Sequence, residues 1–181
     1  MKSKFEYDFY RYYEKKWRMT EVKSLILNHS LCFLFLFRKI QSKYKIYENF
    51  ITRFLLRKIQ RKYGLEISPR TSIGKGLYIG HAYNITINPN AILGSNINIH
   101  KGVTIGQENR GKRKGSPIIG NKVWIGVNAT IVGNILIGED VLIAPNSYVN
   151  IDIPSHSIVI GNPCKIISKE DATKGYINKT V

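Results

Sequence analysis

The feature that most constrains this chain is a ladder of aliphatic residues that repeats every six positions. It runs Ile67, Ile73, Ile79, Ile85, Ala91, Ile97 and Val103, stops, and resumes as Ile119, Ile125, Ile131, Ile137, Ile143 and Val149. A period of six suits neither an α-helix nor a strand paired with its immediate neighbour in sequence. It suits a parallel β-helix, in which each hexad is one short strand and one corner. Three hexads close a coil, so each rung is expected to stack on the rung about 18 residues away, roughly 4.8 Å along the axis. The rungs point inward to a core that no single coil could bury alone. The corners carry turn-forming residues, among them Ser68-Pro69, Asn88-Pro89-Asn90, Gly94-Ser95-Asn96 and Gly138-Glu139-Asp140.

Ahead of the ladder, residues 1–63 read as α-helical. Phe5, Phe9, Tyr12 and Tyr13 recur near helical spacing, as do Leu25, Ile26, Leu31, Leu34 and Phe35. A third segment, Tyr47 to Tyr63, sets Phe54, Leu55 and Leu56 among Arg53, Arg57, Lys58, Arg61 and Lys62, and Gly64 stops it. The chain has 28 Lys and Arg against 12 Asp and Glu, net +16, of which +11 falls in residues 1–63 and +5 in residues 64–181. That balance points to an anionic partner. The helical region is expected to cap the open end of the β-helix, with its basic residues on a solvated face; contact of that face with an anionic membrane surface is the alternative. Aromatics do not interleave with the basic run of the later loop, which leaves nucleic acid without support. The longest apolar run, Leu31 to Phe37, is seven residues, far short of the ~20 a membrane span needs. No leader is visible, and Cys32 and Cys164 form neither a disulfide framework nor a metal-ligand spacing. A cytoplasmic protein, peripheral at most, is expected.

The single break in the ladder holds a second signal. Val103 and Ile119 lie 16 positions apart, which is no multiple of six, so a loop must leave the scaffold at residues 107–117. It carries Arg110, Lys112, Arg113 and Lys114, and a loop of this kind on a rigid frame is a natural binding element. The domain ends near residue 168, and the polar residues 169–181 read as a frayed or briefly helical tail.

Chemistry is sparse. No nucleophile elbow, phosphate loop or dinucleotide fingerprint is present, and no histidines and acids lie at metal-ligand spacing. Of the four histidines, His29 reads as structural and His156 carries no assigned role. His81 follows Ile79-Gly80 at a coil corner, and His100 points outward from another rung. Either could serve as a general base. Glu66 lies 15 residues before His81, a spacing able to bring a carboxylate to the imidazole from an adjacent coil.

Together with the ladder, Gly76-Leu77-Tyr78-Ile79-Gly80-His81, Gly102-Val103-Thr104-Ile105-Gly106, Val123-Trp124-Ile125-Gly126 and Gly161-Asn162-Pro163-Cys164-Lys165 resemble the hexapeptide-repeat acyltransferases. The nearest group is the serine acetyltransferase-like proteins, including those that O-acetylate surface sugars. The resemblance covers roughly residues 64–168. It implies a mainly β fold, a left-handed parallel β-helix, and a homotrimer with its active sites between neighbouring prisms and acetyl-CoA along each cleft, with no metal. It makes His81 the base that deprotonates the acceptor hydroxyl and Glu66 the carboxylate that orients it. Gly106 would line the oxyanion site through its backbone N–H. Val127, Pro145 and Lys165 fall where the family contacts the cofactor, Lys165 as a partner for a CoA phosphate. Where serine acetyltransferases carry an Arg-His pair that helps hold the amino acid, this chain has Gly115 and Ser116. With Arg110, Arg113 and Lys114 beside them, and His100 on the next rung, that departure favours a sugar or polysaccharide-precursor hydroxyl as acceptor. Serine is the alternative acceptor, and a catalytically silent trimeric scaffold is the alternative outside enzymes.

Overall fold

A computed structural model of the chain describes residues 3–42 and 46–181. Lys2, Lys43 and Lys45, which count towards the basic excess, lie outside the described residues. From Leu65 the chain winds through three parallel sheets that form the sides of a prism. The first stacks Leu65–Ile67, Ile85–Ile87, Thr104–Gly106, Thr130–Val132 and Tyr148–Val149. The second stacks Ser72–Ile73, Ile92–Leu93, Ile118–Ile119 and Leu136–Ile137. The third stacks Tyr78–Gly80, Asn98–His100, Val123–Ile125, Val141–Ile143 and Ser157–Ile160. All thirteen rungs of the ladder are at most 1 % exposed, so the hexads do line the core.

The stacking differs from a uniform coil. Leu65 pairs with Ile85, 20 residues on, and Ile67 with Ile87. Thr130 pairs with Tyr148, 18 residues on, whereas Thr104 pairs with Thr130, 26 on. The corner after Gly80 holds two extra residues and the corner after Gly106 holds eight. Ile85, Ala91 and Ile97 therefore do not stack on Ile67, Ile73 and Ile79. Those three are covered by Ile87, Leu93 and Ile99. A slip of two returns a side chain to the same face of a strand, where a slip of one would expel it. Both inward positions of each strand are filled, so the six-residue pattern continues through the slip.

Four helices precede the prism: α1 (Lys4–Tyr13), α2 (Val22–Leu27), α3 (His29–Gln41) and α4 (Ile46–Tyr63). Ser3 caps α1 in a reciprocal pair with Glu6, and the Asn28 side chain accepts from the amides of Ser30 and Leu31 at the start of α3. Phe5, Phe9, Leu31, Phe33, Leu34, Phe37 and Leu56 are buried in one core continuous with the coils. Side chains from these helices also cover the bare backbone edge of the first coil. Gln60 donates to Ile67 O at 2.8 Å, Gln41 to Thr71 O at 2.9 Å, Lys4 to Ile73 O at 2.8 Å and Arg38 to Gly74 O at 2.6 Å. Arg11 donates to Gly76 O at 2.8 Å, and Asp8 accepts from Leu77 N at 2.8 Å. The Tyr12 hydroxyl accepts from Ile79 N and donates to Ile79 O, both at 2.9 Å. Unpaired edge groups invite association with other chains, and here side chains of the cap satisfy the groups named. Part of the basic excess thus satisfies carbonyls within the fold instead of facing an anionic ligand. The buried Asp8–Arg38 pair, at 2.7 Å, locks α1 to α3.

The tail is not frayed. Lys165–Ser168 folds back antiparallel on Ser157–Ile160. Beyond it, Asp140 accepts hydrogen bonds from the Ala172 amide and from the Thr173 amide and hydroxyl, at 2.9, 3.3 and 2.6 Å. Asn98 then donates to Tyr176 O at 3.1 Å, and Asn96 exchanges two hydrogen bonds with the Val181 backbone. The segment runs back down the third sheet towards α1. Among the described residues, no helix is long and apolar enough to cross a membrane.

Candidate active site

The long corner after Gly80 carries His81, Ala82, Tyr83 and Asn84. His81 sits at φ 55° and Asn84 at φ 51°, a left-handed conformation uncommon outside glycine and best tolerated by Asn, Asp and His. The Tyr83 amide donates to the His81 carbonyl at 2.7 Å, closing a tight turn that leaves the imidazole exposed. His29 braces this corner from the cap. Its ring stacks at 4.3 Å on Tyr63, lies 4.8 Å from Tyr83 and hydrogen-bonds the Ala82 backbone. Burial, with His81 and Lys62 nearby, pulls His29 below its ordinary value against that bond, which keeps it neutral. His29 is structural, as expected, but for the corner that carries His81.

His100 is the Cα partner of Gly80, one strand above and one residue away from His81. Its ring occupies the space a side chain at 80 would need: a Cβ there would stand 2.6 Å from His100 Nδ1. On the other side Trp124 packs at 4.8 Å. Burial first, and then His81, hold the His100 imidazole below its ordinary value.

The remaining expected site residues divide between two edges of the prism. Val127 and Pro145 stand above His81 on one edge. Asn128 N bonds Lys101 O at 3.0 Å and Asn146 N bonds Val127 O at 2.9 Å, linking successive corners. Lys165 opens the last strand opposite Ile160 on the same sheet, exposed and without an ion pair among the described residues. Gly106 and the basic excursion lie at the next edge, across the first sheet, whose three-residue strands span about 10 Å. Glu66 faces outward from that sheet, paired with Thr86. It belongs to the same coil as His81, not to an adjacent one, and no hydrogen bond joins the two side chains within the chain.

The excursion is folded. Glu108 and Gly115 exchange backbone hydrogen bonds at 3.0 and 2.9 Å, and Arg113 pairs with Glu108 at 3.1 Å. Arg113 is thus occupied within the hairpin, while Arg110, Lys112 and Lys114 are exposed. Ser116 donates to Asn88 at 3.1 Å.

Next to His100 is a cleft of about 400 Å³ that local sequence gave no sign of. Arg11 and Tyr12 of α1, Trp124 of the third sheet and Tyr176 of the tail meet there. A larger cavity of about 810 Å³ lies between α1, α3 and the first coil, lined by Lys4, Arg38 and Thr71 and away from His81. An exposed imidazole on a fixed corner, with an exposed lysine on the last strand of the same sheet, can take a proton from a hydroxyl beside an anionic co-substrate.

Residues 116–150 match the family of bacterial transferase hexapeptide repeats, described as six repeats. The chain is 34 % identical over 146 residues to a serine acetyltransferase of Helicobacter pylori (strain ATCC 700392 / 26695), covering 81 % of this chain and 85 % of that protein. Among solved structures, a Neisseria gonorrhoeae serine acetyltransferase in complex with serine matches at TM-score 0.72 and 32 % identity, over 91 % of this chain and 67 % of that one. A serine acetyltransferase from Brucella abortus strain S19 in complex with coenzyme A matches at TM-score 0.75 and 25 % identity, over 92 % and 67 %. The inward hexads, the corner histidine and relatives aligned along most of their length lead to one conclusion: the chain belongs to the serine acetyltransferase family of hexapeptide-repeat transferases.

Proposed function

We propose that this chain transfers the acetyl group of acetyl-CoA to the hydroxyl of serine, with His81 as general base. As a member of its family it is an acyltransferase that uses acetyl-CoA. The observation that carries the acceptor is the length of the match to the Helicobacter serine acetyltransferase, 85 % of that protein. The sugar hydroxyl expected from the sequence becomes the second reading, and it rests on Gly115 and Ser116 in place of an Arg-His pair, with a basic run beside them, and on the short basic helical region.

His81 takes the hydroxyl proton as the oxygen attacks the thioester carbonyl, the C–S bond breaks, and the thiolate leaves and is protonated. The Gly106 N–H stabilises the oxyanion. Lys165 offers a charge for a CoA phosphate, while Val127 and Pro145 line the edge along which the pantetheine arm runs. Because these groups lie on two edges of one prism, a second copy has to bring them together. The exposed column of Ile92, Ile118 and Leu136 on the second sheet gives such copies an apolar surface to share in a homotrimer. Glu66 then orients His81 within the assembled site.

Thiol release from acetyl-CoA, followed with serine, with simple sugars and without acceptor, tests the acceptor. Release with sugars and none with serine would overturn the serine reading. His81→Ala should slow release by about 10²- to 10⁴-fold at unchanged melting temperature and at the mass of three 20.7-kDa chains.

Helix α4 supports a further partner. Phe50, Ile51, Phe54 and Leu55 are 76, 67, 62 and 42 % exposed, and Arg53, Arg57, Lys58, Arg61 and Lys62 are exposed on the same helix. We infer that it rests on an anionic membrane. Co-sedimentation with anionic but not neutral vesicles at low salt is expected, and failure to sediment with either sinks the idea.

A further inference from the structure

Two of the four buried side-chain polar atoms that lack a hydrogen-bond partner among the described residues, Arg11 Nε and His100 Nε2, belong to residues that line the cleft beside His100. Native proteins seldom leave such atoms unsatisfied. Their presence in one lining is the mark of a site that completes itself with a ligand.

Each atom is held where it is by the fold. Arg11 is 5 % exposed, and its two terminal nitrogens are already committed, Nη1 to Gly76 O at 2.8 Å and Nη2 to Asn98 Oδ1 at 2.6 Å. Asn98 is fixed in turn by Tyr176 O. Of the three nitrogens, Nε alone has no partner. Burial pulls the guanidinium down to about 10, so it remains charged at neutral pH. His100 is clamped between Gly80 and Trp124, and Trp124 packs at 5.0 Å on Tyr176. With its proton on Nε2 the neutral imidazole is a donor. No Asp or Glu lines the cleft, and its second cation, Lys179, pairs with Glu14 at 3.3 Å. Two unpartnered donors in one lining, one of them cationic, with aromatic walls and no acid, suit a small carboxylate.

The place of the cleft decides what that carboxylate belongs to. His100 is the register partner of Gly80, and His81 is the next residue, so the two imidazoles rise from backbone positions one strand spacing and one residue apart. We propose that the Arg11–His100 cleft is the carboxylate subsite of the acceptor, holding an α-carboxylate while the hydroxyl of the same molecule lies at His81. This rests on the reading of His81 as the base and serine as the acceptor. It supplies from α1 and the third sheet the anion recognition that Gly115 and Ser116 do not provide.

A carboxylate of this kind belongs to an amino acid or to a sugar acid, and the test separates them. With the full chain, His100→Leu should raise the KM for serine about ten- to a hundredfold, the effect of losing a hydrogen bond to a charged group. The KM for acetyl-CoA and the melting temperature should not move. Serinamide, which lacks the carboxylate, should be a poor acceptor for wild type and variant alike. Arg11→Lys, which keeps the charge and removes Nε, should act in the same direction. Calorimetric titration with serine and with a hexuronic acid, without acetyl-CoA, reads binding apart from turnover. If serine is turned over with a KM indifferent to both substitutions, the cleft holds only water and the inference is overturned while the serine reading stands. If serine is neither bound nor acetylated but the hexuronic acid binds, and does so only with His100 and Arg11 intact, the subsite stands and the serine reading falls. If no carboxylate binds in a manner that depends on either residue, the subsite is refuted.

Discussion

The two ends of the third sheet meet one difficulty in different ways. A terminal coil has backbone groups with no neighbouring strand to pair with. At Tyr78–Gly80 the answer comes from side chains: Asp8, Arg11 and Tyr12 reach the edge one group at a time. At Ser157–Ile160 it comes from backbone, because the chain reverses and Lys165–Ser168 pairs along the strand. The second solution asks little of residue identity, and all four residues of that last strand are exposed. The first asks for a particular side chain at each position. An end closed by side chains should therefore be fragile to substitution, and an end closed by backbone tolerant of it.

Arg38→Ala strikes the fragile end hardest. It removes the bonds to Ile73 O and Gly74 O and leaves Asp8 buried without its partner. Losing one member of a buried pair costs about 3–5 kcal/mol, which denaturant unfolding should register; a cost below ~1 kcal/mol would break the contrast. Asp140→Asn comes next, because it loosens the tail that follows the hairpin. Against the desolvation of its site, hydrogen bonds from Thr173, His156 and Lys122 hold the Asp140 carboxyl well below the usual carboxylate range. A carboxyl depressed in the fold stabilises above its unfolded value, about 3.9, and that contribution fades as pH falls below it. The variant should lose about 1–3 kcal/mol at pH 7, and the difference from wild type should shrink as pH drops from 5 to about 2. Amide exchange at residues 172–177, compared across that range, would show it. The smallest effect belongs to the backbone-closed end. Ile167 is 47 % exposed, and Ile167→Ser should shift stability by less than about 0.5 kcal/mol. A larger loss would show that side chains matter at both ends.

The same contrast explains what could be read from sequence. The coils were legible because burial repeats: Ile119, Ile125, Ile131, Ile137 and Ile143 each solve the same packing problem six residues apart. The stacking partners of Ile67, Ile73 and Ile79 were not, since a slip of two leaves the pattern intact while moving each rung to another column. The cap contacts were hidden for another reason. Asp8 meets Leu77 and Arg11 meets Asn98 across 69 and 87 residues, and a single contact made once leaves no period to detect. Basic residues in the helices thus read as a surface for anions, when Lys4, Arg11 and Arg38 serve backbone carbonyls. His81 stood out by its place at a corner. The partners of His100 did not, because Arg11, Trp124 and Tyr176 come from three separate segments.

The cap also bears on the order of events during synthesis. Asp8 leaves the ribosome well ahead of Leu77, which it must pair with 69 residues later. At about 5–20 residues per second, the first helices wait roughly 3–14 seconds for the edge they cover. Over that interval Phe5, Phe9 and Phe37 have only other residues of the helices to pack against, so the nascent helical region is the stage at which a chaperone would find most to hold.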